Sequence, residues 1–424
     1  MRARHARRRT SARTRRRRSS KHALRSDRMG RRIGAPRTKL PRKPSASPGL
    51  LVRQGRHDEL IPPSRLGDYS RRVRTRHLLI AGLAVLVSCG GSSSDTGLDA
   101  TVGSIAVQED GQIVVGGGFT TPASSLARFG PDGRPDKAFN ANVGVTLDSS
   151  VYAVAVQMDG KIVVGGYFST PAQSLARFNP DGTPDEAFNL NVGTNFAGGI
   201  MSIDVLSDGR IVVGGQITAP SRSLARVNAD GTMDTPFNTT VGQSIDLPVA
   251  SVAILDDGSY VIGGTFTTPS PALARIRADG VFDQGFADNV AGSVSGFVST
   301  IERHRDGIII GGQFTSPANS IARFDLDGRP DDAFNATYQA GAGALIEDYV
   351  EKVAILDDDS ILVGGWFSEP APSLIRLSAE GELEPLPVQP AFDGAVLSVY
   401  GHATSIIVAG AFTVPARHLV ILDY

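Results

Sequence analysis

Six arginines spaced along the carboxyl-terminal part of the chain, at positions 128, 177, 226, 275, 323 and 376, are its most regular chemical feature. Asp185 follows Arg177 and Glu384 follows Arg376, so a carboxylate persists even where its length changes. A guanidinium beside a carboxylate makes charge-assisted, often two-pronged hydrogen bonds, which can serve a substrate or a scaffold. Six near-identical sites make a poor active centre and a good frame, so Arg177 with Asp185 and Arg376 with Glu384 read as structural ion pairs. Asp325, Asp327 and Asp331, in the run D-L-D-G-R-P-D, have the oxygen density of a calcium loop but lack the bidentate glutamate at its twelfth position. They are weak metal candidates beside the plainer reading of turns, and no other cofactor is implied. His304, His402 and His418 fall at non-equivalent places, with no Ser-His-Asp order and no H-E-x-x-H. The V-G-G-G run at 115–118 recurs from unit to unit and belongs to the frame rather than to a phosphate loop. No catalytic residue is assigned.

The chain has two halves of opposite charge. Residues 1–77 hold 26 of the 43 Lys and Arg but 4 of the 43 Asp and Glu, a net of +22 that leaves −22 for the remainder. An acidic body whose lysines are Lys137, Lys161 and Lys352 repels phosphate backbones, which excludes nucleic acid as its partner. A single cysteine, Cys89, excludes an internal disulfide framework and a cysteine zinc site. Residues 1–70, rich in Arg, Ser and Pro, cannot bury a core and read as a disordered or untranslated extension. Residues 71–88 form an export signal: a basic start, R-R-V-R-T-R-H, then an apolar run too short for a bilayer of ~30 Å. Its ending, L-V-S-C at 86–89, resembles a bacterial lipobox, which implies a lipid on Cys89 and a tether over residues 89–97. Gly90 resembles an outer-membrane rather than an inner-membrane sorting signal. The expected address is the cell envelope, at the outer membrane, with the lipid as the membrane contact.

From residue 98 the chain repeats. The second glycine of each Gly-Gly pair falls at 117, 166, 215, 264, 312 and 365, with Gly410 after Ala409 in a seventh copy, a period of about 49 residues. Such a period, with several short strands per unit, is that of propeller blades. In the copy at 151–189, two apolar strands flank the turn at Asp159-Gly160, where a positive φ is tolerated. Gly165-Gly166 and Pro171 end the second strand, a third spans 174–179, and a turn at Asp181-Gly182 leads to a fourth around Phe188. The expectation is all-β: a seven-bladed β-propeller of four-stranded antiparallel blades over residues 98–424. Residues 98–103 align with 139–144 and supply the strand missing from the last copy, so that the amino terminus of the mature chain closes the ring.

The units, of the form apolar strand, D-G, I-V-V-G-G-x-F, S-L-A-R-F, D-G-x-x-D, F-N, resemble the delta-60 repeat of bacteria over the whole of residues 98–424. The resemblance implies a β-propeller and carries no settled activity. The seventh copy departs with Ile421 for the arginine, and the sixth with Asp359 for the turn glycine and Glu380 and Glu384 for aspartates, which loosens its turns.

What varies on the constant frame points to function. The residue after Gly-Gly is Gly118, Tyr167, Gln216, Thr265, Gln313, Trp366 or Ala411, and the longest inter-blade loop, 336–348, includes Tyr338. Strand parity puts these on one face with the Pro171 loop. Tyr167, Gln216, Gln313, Trp366 and Tyr338 are the candidates for binding a protein or glycan partner by a non-catalytic, monomeric, lipid-anchored scaffold. The alternatives are a hydrolase or lyase centred in the axial funnel, favoured by carboxylates converging there, and a calcium-stabilised surface protein. A shallow aromatic floor favours the binder.

Overall fold

The computed structural model describes residues 96–346, 348–386, 388, 390–402 and 405–423. The extension, the export signal and Cys89 lie outside the described residues.

Seven antiparallel sheets follow one another along the chain, six of three strands and one of four. Their first, inner strands are Val102–Val107, Val151–Val156, Ile200–Val205, Val249–Ile254, Phe297–His304, Tyr349–Ile355 and Val396–His402, which define blades 1 to 7. Each inner strand packs on that of the next blade, and the seventh packs on the first. The middle strand of blade 2, Ile162–Gly166, is buried throughout, because apolar residues face a neighbouring blade on either side. Small side chains stitch the inner strands together. Ser104 Oγ accepts from the amide of Val154 at 3.1 Å, Ser251 Oγ from Ile301 at 3.1 Å, and Ser398 Oγ of blade 7 from Ile105 of blade 1 at 3.2 Å.

Among the described residues the fourth strand expected in every blade is found in blade 6 alone. In blades 1 to 5 it is reduced to a single bridge, Phe178 to Pro184 in blade 2, and the chain then turns into a helix. The described residues hold five such helices: α1 (Lys137–Val143), α2 (Glu186–Val192), α3 (Thr235–Val241), α4 (Gln284–Val290) and α5 (Asp332–Ala340). Asp185 caps α2 by accepting the amide of Phe188, and Gly193 closes it at φ 51°, a conformation that glycine supplies without strain. Phe188 and Val192, four residues apart, share the buried face. Phe188 rests on the next blade's turn, where a Cβ on Gly231 would stand 2.6 Å from the Phe188 carbonyl oxygen.

Blade 6 keeps a fourth strand, Leu383–Glu384, paired with Leu377 and Arg376. Glutamate there replaces the capping aspartate, and its longer side chain is a poor N-cap. The turns of blade 6 are not loosened. Asp359 takes φ 64° in place of glycine and still donates its amide to Leu356, as Gly160 does to Gln157.

The expected closing strand is also corrected. None of the seven sheets is closed, and Thr96–Thr101 form no strand. Asp99 binds Thr120 and Thr121 as Asp148 binds Ser169 and Thr170, and Leu98 is buried as Leu147 is. Residues 98–103 are therefore the entry to blade 1, equivalent to 147–152 rather than to 139–144. Among the described residues no outer element follows Leu419–Asp423.

Candidate functional site

The repeated arginines are positioned by their outer strands and by the helix that follows. Arg177, its side chain 9% exposed, reaches Asp185 at 2.9 Å, Gln157 Oε1 at 3.1 Å and the carbonyl of Ala229 in the next blade at 2.7 Å. Its guanidinium also lies 4.1 Å from the centre of the Phe188 ring. One carboxylate does two jobs: Asp185 Oδ1 caps the helix while Oδ2 takes the arginine. Burial works against its charge, but the bond from Lys161, the Phe188 amide and Arg177 outweigh this and hold its pKa below the usual carboxylate range. Arg128 with Asp136 and Arg226 with Asp234 repeat the arrangement. Arg376 meets Glu384 at 3.2 Å and Asp358 at 2.5 Å, nearer solvent. These groups are bonded to the frame on every side.

The aspartates of the calcium-like run are divided between two arginines. Asp325 and Asp327 both bond Arg329, while Asp331 caps α5 and pairs with Arg323 at 3.1 Å. No group of three or more His, Cys, Asp or Glu able to hold a metal occurs among the described residues.

The residues after Gly-Gly stand at or just after the ends of the middle strands, at the end where the inner strands begin. Tyr167 is 42% exposed, packs its ring edge-on against Tyr152 with centroids 5.6 Å apart, and hydrogen-bonds Gln216 of the next blade. Gln313 is exposed, and Trp366 is half-buried opposite Tyr349 in strand register. Tyr338 is not on that surface. It is fully buried, stacks on Phe334 and donates its hydroxyl to the Asn319 carbonyl at 2.7 Å, because α5 runs on two residues longer than the other helices.

A second variable set escaped the sequence reading. Every inner strand carries a bulge at its second repeat position, occupied by Gly103, Tyr152, Met201, Ala250, Ser299, Glu351 and Leu397. A bulged residue leaves the ladder and its side chain is re-aimed. The signal was present as one changing letter in a constant apolar strand, but a bulge has no residue signature of its own. One residue further, Lys352 Nζ meets Glu302 Oε1 of blade 5 at 2.6 Å. Asp204 of blade 3 feels both of them. Charges on the inner strands of blades 3, 5 and 6 bear on one another across the ring of inner strands, so these groups mark the central channel. Burial pushes Asp204 up to about 6 even though the amides of Ile254 and Val205 bond it, and burial pushes Glu351 up to about 7. Asp204 and Glu302 thus line the channel, and Glu351 stands with the aromatic rings at its mouth.

This fold is that of a β-propeller. Six segments of the chain, 108–139, 157–188, 206–237, 255–286, 304–334 and 356–385, match the family model described as "Domain of unknown function (DUF5122) beta-propeller". No curated protein matches the chain. Among solved structures it is similar to the WD40 β-propeller domain of Doa1, at 14% identity and a TM-score of 0.51, over 78% of this chain and 95% of that one. It is also similar to the extracellular domain of the putative one-component system BT4673 from B. thetaiotaomicron, at 14% identity and a TM-score of 0.45, over 77% of this chain and 38% of that one. No helix among the described residues is long and apolar enough to cross a membrane.

Proposed function

We propose that the protein is an exported, lipid-anchored propeller that binds a protein or glycan partner through the face carrying the bulges and the residues after Gly-Gly. The observation that carries this reading is the contrast between two sets of side chains. The arginine network repeats from blade to blade and is consumed by the frame, whereas Tyr152, Tyr167, Gln216, Gln313, Glu351 and Trp366 differ and share one mouth. Function placed on variable residues of a rigid frame is the usual design of binding surfaces. Attachment is through Cys89, and the propeller acts as a monomer. Mass spectrometry of membrane-extracted protein is expected to find a diacylglyceryl group on Cys89, and an unmodified cysteine would refute the anchor. For binding, a full-length Tyr167→Ala, Trp366→Ala variant is expected to lose retention of envelope proteins and glycans at unchanged melting temperature. Retention unchanged in that variant would move the site elsewhere.

A second reading, a hydrolase or lyase centred in the channel, draws on the raised carboxyls of Asp204 and Glu351. It is weaker because Lys352 is committed to Glu302 and Asp204 to two backbone amides. Turnover of a glycan substrate by the wild type, abolished in Asp204→Asn or Glu351→Gln, would favour it.

A further inference from the structure

The repeat supplies its own control for the channel mouth. At the position two residues before the bulge, at the bulge and after Gly-Gly, blades 1, 3, 4 and 7 carry no aromatic residue and no carboxylate. Blade 2 adds Tyr152 and Tyr167 and blade 5 adds Phe297, neither with a carboxylate, and blade 6 carries both kinds. Phe297 and Tyr349 hold their ring centroids 5.3 Å apart, Trp366 is the strand partner of Tyr349, and the Tyr349 hydroxyl and the Glu351 carboxyl, two residues apart on one strand, bear on one another, with Ser299 beside the hydroxyl. Each of the three aromatic residues is only partly buried. Beneath them Lys352 is spent on Glu302, and Asp204 adds a third carboxyl against that one ammonium. Among the described residues this corner therefore offers aromatic faces and negative charge, and the ammonium there, that of Lys352, is paired with Glu302.

We propose that the corner formed by Phe297, Tyr349, Glu351 and Trp366 binds an organic cation of the ammonium type, presented by the ligand of the loop face. The inference rests on the reading of that face as a binding surface. Aromatic faces attract cations through their quadrupole, most strongly where water is thin, and a carboxylate within the same corner adds to this. A neutral sugar would use the rings but gain nothing from the charge, and an anion would be repelled. Glu351 has its carboxyl pushed up to about 7 by burial, with Tyr349 and Lys352 favouring its charged form. An arriving cation holds it ionised, so binding near neutral pH releases a proton to solvent. Lys352 and Glu302 neutralise one another, and Asp204, pushed up to about 6, is already mostly ionised above pH 7.

Trp366 is the single tryptophan of the chain and reports on the corner directly. Full-length protein titrated with choline is expected to give a saturable change in tryptophan emission. Its neutral isostere, 3,3-dimethylbutan-1-ol, is expected to bind roughly tenfold more weakly or worse, as is choline to Glu351→Gln. Calorimetry in two buffers of different ionisation heat is expected to show proton release at pH 7 in the wild type and none in that variant. Equal binding of choline and the isostere, or no saturable response to choline, would overturn the inference. The isostere comparison needs only the wild type, so a misfolded variant does not remove the test. If choline fails while the Tyr167→Ala, Trp366→Ala protein still loses its partner, the cation falls and the binding face stands. If both fail, the reading of the face falls with it.

Discussion

The side-chain amide of Asn189 makes two hydrogen bonds to the backbone of Arg177, accepting its N–H at 2.8 Å and donating to its carbonyl at 3.0 Å. Those are the bonds a fourth strand would make, so one residue covers the edge that would otherwise invite another chain. Asn140, Asn238 and Asn335 do the same, while blade 4 has Ala287 in that place. Asn189→Ala is expected to cost about 1–3 kcal/mol, and Ala287→Asn to add about 1 kcal/mol, both read by urea unfolding. His304 shows the same economy. It stands where blade 2 has Gln157, which takes Arg177 on its oxygen and donates to the next blade. His304 Nε2 donates to the Asp359 carbonyl at 3.0 Å, which leaves Nδ1 buried without a partner. Burial, with Arg323 and Arg305 nearby, lowers its pKa. The unfolded chain then binds the proton more readily, so stability is complete above about pH 6.5 and falls as pH drops below it. His304→Gln is expected to flatten that acid slope in melting curves between pH 5 and 7.

At the scale of elements, the arginine pairs differ in worth because their surroundings differ. Arg177 joins a cap, a glutamine and the next blade within a buried site, so Arg177→Ala is expected to cost on the order of 3 kcal/mol. Arg376 faces partners 58% and 37% exposed, and Arg376→Ala is expected to cost under about 1 kcal/mol in the same unfolding assay. The hairpins of each blade were legible because Asp159-Gly160 fixes a turn and the apolar runs on either side fix two strands. The helices were not, because seven residues give too little periodicity to tell from a short strand. Their true signature was the spacing of caps, Asp185 to Gly193 and Asp136 to Gly144, which counts as a start and a stop eight residues apart. The alignment of residues 98–103 failed for a related reason. Leu98-Asp99 resembles both Phe139-Asn140 and Leu147-Asp148, and only the bonds from Asp99 to the Thr120 loop decide between them. At the candidate site the residues after Gly-Gly were legible from their variation, whereas the bulges and the meeting of Asp204, Glu302 and Lys352 depend on which blades face one another.

Across the whole molecule two sets of carboxylates pull stability in opposite directions with pH. Asp99, Asp148 and Asp246 bind the hydroxyl-bearing loops that follow the middle strands and are lowered, Asp246 to about 2, although burial opposes the charge there. Their contribution is present above the unfolded pKa near 4 and is lost as pH falls through the folded values. Asp204 and Glu351 are raised, so the folded state holds their protons longer and loses stability as pH rises from about 4 to 7. Asp204→Asn is therefore expected to raise the melting temperature at pH 8 and to change it little at pH 4.

The bulge in each inner strand gives this arrangement a combinatorial side. A residue outside the ladder can change without shifting the register of its strand, so part of the mouth is written in seven letters, here G-Y-M-A-S-E-L in chain order. Changing one letter rewrites one patch of the mouth and keeps the strand register. Descendants of such a chain can drift from one ligand to another by point substitution, with no need to lengthen or rebuild a loop.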